Sequence, residues 1–245
     1  MAKSERRYLE QKSKLDRQFH KEDKEHALQG NINRFVLTQK QLGLSNVIDN
    51  NVITFLEAPA GTGKTSTVLF NYCKRYITSK ELDILIIRTP VEANEDRIGF
   101  LPDDKKAKLE PHFAAYRKIL TDFLGPKFNA DFEKRIIFDI PNFQLGCTWD
   151  NKLVLIDEAQ QLPPMILKLL LERIGVNTKV VVCGDPTQLY VGGKRNALTD
   201  AVNRFTFLEG SDRKSIYNDV GYFKMSVDDV MRSDVVRTVI KAYSE

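Results

Sequence analysis

The chain has 245 residues, 42% of them hydrophobic and 29% charged, enough for one substantial core with a small appendage. Its net charge of +4 comes from intermixed charges of both signs, so it permits contact with nucleic acid without demanding it. Cys73, Cys147 and Cys183 lie far apart, with no C-x-x-C spacing and no clustered histidines, and suggest neither a disulfide framework nor a zinc site; there is no apolar leader and no run of about eighteen apolar residues, so a cytoplasmic protein without a membrane partner is expected.

Residues 1–33 are dominated by Lys, Arg, Glu and Asp, with a thin apolar stripe from Tyr8, Leu15 and Phe19. Such a segment cannot build a core. It reads as a surface helix or unstructured arm, or as an arm that touches RNA, DNA or a neighbouring subunit. Residues 34–245 are expected to form the folded domain. Phe35, Leu37, Thr38 and Gln41 lead into a helical stretch to Ile48, and Asp49-Asn50-Asn51 turns the chain into a first strand. The Gln41 amide can donate and accept together, as an adenine edge requires; a solvent-facing helix glutamine is the other reading.

The apolar run 52–56 is followed by Ala58-Pro59-Ala60-Gly61-Thr62-Gly63-Lys64-Thr65 and then by the helical stretch that begins at Ser66. A strand, a glycine loop and a helix in this order make a P-loop: loop N–H groups and the helix N-terminus point at a polyphosphate, and Gly61 and Gly63 let the backbone approach it. Lys64 is placed to bridge the β- and γ-phosphates and Thr65 to hold Mg²⁺. Ala58 stands where the pattern G-x-x-x-x-G-K-[ST] has its first glycine, which a small side chain satisfies if its φ is negative.

Asp83-Ile-Leu-Ile-Ile-Arg88 is an almost continuous apolar run, read as a parallel central strand, and the long loop 89–102 leaves its end. Residues 105–124 repeat apolar side chains at threes and fours, through Leu109, Phe113, Tyr116, Leu120 and Phe123, and Gly125-Pro126 stops that helix. A short strand follows at 135–139, and Trp149 reads as a packing residue. Lys152-Leu-Val-Leu-Ile-Asp157-Glu158 then delivers two carboxylates at a strand end, where open α/β sheets bind ligands. Asp157 reads as the magnesium acid and Glu158 as the general base for an attacking water.

Pro163 opens a helix with Leu167, Leu170, Leu171 and Ile174 on its buried stripe. Lys179-Val-Val-Val-Cys-Gly-Asp185-Pro-Thr-Gln188 repeats the apolar strand with a polar end. Gln188 is either a γ-phosphate sensor or an exposed amide beyond an Asx turn at Asp185. The basic glycine loop 192–196 precedes a short helix to Phe205; residues 205–208 and 220–225 read as two short strands or one hairpin, and Ser226-Val-Asp-Asp229 as a capping box before a last helix.

Five blocks taken together resemble the PhoH family: Pro59-Ala-Gly-Thr-Gly-Lys-Thr65, Arg88-Thr-Pro-Val-Glu-Ala93 with Gly99-Phe-Leu-Pro102, Ile156-Asp-Glu-Ala-Gln160, Gly184-Asp-Pro-Thr-Gln188 and Asp228-Asp-Val-Met-Arg232. The Val-Glu-Ala block followed by Gly-Phe-Leu-Pro is the most particular of them. Ala58 and Asn94 depart from the family pattern, in place of glycines. The resemblance implies a RecA-like P-loop core related to superfamily 1 helicases, a mainly parallel sheet flanked by helices, with ATP and Mg²⁺ as ligands and a link to RNA. It implies a nucleotide site drawn from Gln41, Pro59, Ala60, Gly61, Thr62, Gly63, Lys64, Thr65 and Ser66. The expected function is an ATPase acting on single-stranded RNA or DNA, with an ATP-gated switch of little turnover as the alternative. A superfamily 1 helicase completes its site from a second domain, for which this chain has too few residues. A homo-oligomeric ring, six-membered by preference, is therefore expected, with Arg195 or Arg232 as the arginine finger; surface charge is the competing reading of both.

Overall fold

The computed structural model describes residues 31–89, 105–188 and 196–231, with 235, 238, 239 and 242; at 105–109 it describes backbone alone. Its apolar runs become the strands β1 (Ile53–Glu57), β2 (Asp83–Arg88), β3 (Ile136–Asp139), β4 (Lys152–Asp157) and β5 (Lys179–Gly184), all parallel. The sheet order is β3-β2-β4-β5-β1, with a sixth strand beyond β1.

Alternation along these strands divides the core in two, because successive side chains of a strand point to opposite faces. Leu56, Ile84, Ile86, Leu155 and Cys183 pack beneath helices α1 (Gln39–Asn50), α2 (Lys64–Thr78) and α3 (Lys105–Leu124). Phe55, Leu85, Ile87, Ile156 and Val182 face the other way, toward Trp149 and, further along the chain, α6 (Pro164–Leu171) and α7 (Ala197–Phe205). Each such side chain, fully buried, contributes about 1.5–3 kcal/mol. Trp149 is buried and donates Nε1–H to Gln144 Oε1 at 2.9 Å, as a packing residue that satisfies its polar atom. Between α3 and α6 lie two short helices, α4 (Pro126–Asp131) and α5 (Pro141–Gln144), each with proline in its first turn.

Of the two expected arrangements for the C-terminal third, two short strands form and the single hairpin does not. Strand β6 (Thr206–Glu209) pairs antiparallel with β7 (Asp212–Ser215) in a small separate ribbon, and β8 (Val220–Lys224) joins the main sheet parallel to β1. Residues 220–224 thus close the central sheet. Among the described residues, the tail continues the P-loop core. The capping box Ser226/Asp229 is present, on a single 3₁₀ turn, Val227–Asp229.

Candidate nucleotide site

Strands β1, β4 and β5 deliver their C-terminal ends to one place. Beyond β1, Ala58 is fully buried and donates its N–H to Gly184 O at 3.0 Å. Its φ is not positive, so a methyl group is tolerated where the pattern has glycine. The loop then bends through Gly61 (φ 86°) and Gly63 (φ 77°), and Thr62 Oγ1 donates to Pro59 O at 3.0 Å across it. The left-handed conformation at Gly63 favours glycine, and a Cβ there would stand 2.6 Å from Gln41 Nε2 and displace the end of that side chain. Lys64 and Thr65 open α2 immediately after the loop, and Lys64 is buried.

Gln41 is buried against this loop, not facing solvent. Its Oε1 accepts from Thr38 N at 3.0 Å, closing a capping box on α1, while Nε2 donates to Thr62 O at 3.3 Å and to Met231 Sδ at 3.1 Å. The sequence carried that signal as Thr-x-x-Gln. Reading an adenine edge would require Nε2, whose two hydrogens are both engaged, to change a partner. Met231 also donates its own N–H to Gly61 O at 3.0 Å, so the C-terminal segment is bonded to the loop.

Asp157, at the end of β4, is buried and accepts four donors. Thr65 Oγ1 (2.9 Å) and Tyr116 OH (2.8 Å) reach Oδ2; Glu158 N (2.9 Å) and Cys183 Sγ (3.0 Å) reach Oδ1. Burial first, and the charge of Asp157 after it, push the Tyr116 hydroxyl and the Cys183 thiol well above their ordinary values, so both remain donors across the neutral range. The Thr65 hydroxyl spends its proton on Asp157, leaving its lone pairs for a hard cation at the phosphates. This donor set fits Mg²⁺, which Thr65 would hold together with substrate oxygens while Asp157 orients the Thr65 hydroxyl.

Glu158 follows with φ 56°, a left-handed conformation that costs a non-glycine residue about 1–3 kcal/mol. Gln160 holds its carboxylate: Nε2 donates to Glu158 Oε2 at 2.6 Å, and Oε1 accepts from Asp185 N at 3.2 Å, tying the ends of β4 and β5 together. Only a glycine at 184 leaves room, since a Cβ there would stand 2.1 Å from Gln160 Oε1. Lys64, Thr65, Arg88, Tyr116, Asp157 and Glu158 line one cleft of 310 Å³, with Ala60, Gly61, Gly63 and Ser66 on its loop side.

The structure therefore gathers Lys64, Thr65, Asp157 and Glu158. It leaves Gln188 exposed, outside that cleft lining, beyond an Asx turn in which Asp185 Oδ1 accepts from Thr187 N and Oγ1. Arg195 and Arg232 lie outside the described residues, as do residues 1–30 and 90–104. Sequence reasoning missed Tyr116, Arg88 and Gln160, whose contacts join positions far apart along the chain. The signal for Tyr116 was a hydroxyl on an otherwise apolar helix face.

The ATPase domain of the large terminase from Thermus phage P74-26 superimposes with a TM-score of 0.52 over 82% of this chain and 85% of that one, at 12% identity. A second large terminase, from a thermophilic bacteriophage, gives 0.50 over 84% of this chain and 49% of its own, at 13% identity. These likenesses establish a P-loop ATPase fold. In sequence, a PhoH-like protein of Mycobacterium leprae is 31% identical over 211 residues, 85% of this chain and 58% of the relative. Protein PhoH of Escherichia coli K12 is 29% identical over 84% of this chain and 57% of its own length, so the chain spans just under three-fifths of these curated relatives. The PhoH-like protein family model matches residues 35–244, from the segment that precedes Gln41, through loop, acids and closing strand, and so this chain belongs to the PhoH-like family.

Proposed function

We propose that the chain is a Mg²⁺-dependent ATPase that acts on single-stranded RNA or DNA, working in the cytoplasm as a homo-oligomer. One observation carries the reading: Thr65 Oγ1 and Asp157 Oδ2 meet at 2.9 Å beside the buried Lys64, in the cleft that Glu158 also lines. The γ-phosphorus is attacked by a water oxygen, the bond to the β-phosphate oxygen breaks with its electron pair leaving on ADP, and Glu158 takes the water's proton. Lys64 offsets the charge gathering on the transferring group; Thr65, oriented by Asp157, would hold Mg²⁺, which would supply charge to neutralise the phosphate oxygens. Gln160 keeps the Glu158 carboxylate in place. The modest basic balance and the family resemblance support a nucleic-acid partner.

Phosphate release by the wild type, with and without single-stranded RNA or DNA, tests this. Stimulation is expected, and Lys64→Ala should remove nucleotide binding or turnover. Glu158→Gln should bind ATP and fail to hydrolyse it; a Glu158→Gln protein as fast as the wild type sinks the assignment of the base. The exposed Gln188 favours one second reading, an ATP-gated switch with little turnover. Slow hydrolysis, unchanged by nucleic acid and accompanied by tight ATP binding, would decide for the switch.

A further inference from the structure

Arg88 is the last residue of β2, in register with Asp157 on β4. Along β2, Ile84 and Ile86 pack on the face covered by α2 and α3, and Arg88 continues that alternation, so its side chain leaves the sheet on the side of the phosphate loop. It lines the same 310 Å³ cleft as Lys64, Thr65 and Glu158. Among the described residues its guanidinium is held without a carboxylate partner. Nη1 donates to the backbone oxygen of His112 at 3.1 Å, and Cζ lies 5.6 Å from the centre of the Tyr116 ring. Nε is buried and has no partner. The neighbouring carboxylate does not claim it, because both Asp157 oxygens are occupied by Thr65, Tyr116, Cys183 and the Glu158 amide.

A permanent cation with an unspent buried donor, fixed at the rim of a phosphate cleft, matches an oxyanion. We propose that Arg88 is a catalytic residue that binds the terminal phosphoryl group of the nucleoside triphosphate from within the same subunit and stabilises the charge that grows on it during transfer. This deepens the ATPase reading and rests on it. Lys64 and Arg88 then grip that group from the loop and from β2, and ADP, which lacks it, gains nothing from Arg88.

The test compares Arg88→Gln and Arg88→Lys in the full chain. ATP affinity is read in a Glu158→Gln background, where turnover is blocked, and ADP affinity beside it. Arg88→Gln should leave ADP binding within about twofold and weaken ATP by about tenfold or more, since charge-assisted hydrogen bonds to one phosphoryl group are lost. With Glu158 intact, Arg88→Gln should cut turnover by about 10³-fold, and lysine should restore part of both losses. Equal weakening of ATP and ADP, or a lowered Tm with the ratio unchanged, overturns the proposal and leaves Arg88 as a prop for α3. Unchanged nucleotide affinities with weakened binding of a single-stranded oligonucleotide overturn it in favour of a nucleic-acid contact. A folded wild type that binds neither nucleotide removes the ATPase reading itself, which the wild type alone reveals.

Discussion

Gln160 is not part of the cleft lining, yet it touches Glu158 at one end and the Asp185 amide at the other, in a space that exists because residue 184 lacks a Cβ. Gln160→Ala should therefore lower turnover while leaving ATP affinity close to wild type. Gly184→Ala should do the same by expelling the same side chain, and the double variant should be little worse than either. Additive losses in that cycle, measured by phosphate release, would show that the two positions act independently. The loop lysine and the paired acids were legible in sequence because their chemistry is local: a glycine loop after a strand, two carboxylates at a strand end. Gln160, Tyr116 and Arg88 were not, because each acts through a partner on another strand or helix. Gln41 was half legible; Thr38-x-x-Gln41 announces a capping box, but its bond to Thr62 depends on how α1 meets the loop.

Among elements, β1 and the turn that follows it decide how the phosphate loop is set. Ala58 sits there with no exposed surface, its φ not positive, and its N–H spent on Gly184 O. Restoring the family's glycine, Ala58→Gly, should give no gain in turnover. It should cost about 0.5–1 kcal/mol of stability, from backbone freedom regained by the unfolded chain, read from denaturant unfolding. A clear rise in turnover would mean that the methyl group obstructs the loop. The central strands were legible because burial on both faces writes an uninterrupted apolar run. Of the β6–β7 ribbon only β6 was legible, since Asp212-Arg-Lys-Ser215 carries no apolar alternation. Residues 220–224 were legible as a short strand, but their partner was not, since only the fold brings β1 beside them.

At the scale of the molecule, the described residues form one P-loop core, with β8 as an edge strand of its sheet. Any arginine that a neighbour supplies must cross a subunit boundary, and Arg195 and Arg232 remain the positions proposed for it. Mixing Glu158→Gln protein with Arg195→Ala or Arg232→Ala protein, each inactive alone, should restore some hydrolysis, because some interfaces then join an intact base to an intact finger. A fully active monomer by light scattering would remove the ring. The bond from the Met231 amide to Gly61 O has a consequence of its own. It moors the chain leaving the sheet to a peptide of the phosphate loop 170 residues earlier, so the two cannot loosen separately. Hydrogen–deuterium exchange at the Met231 amide becomes a gauge of how firmly that loop is held: it should slow when ATP fills the cleft, and slow less with ADP. The tail would then carry news of the nucleotide to whatever surface the last residues meet.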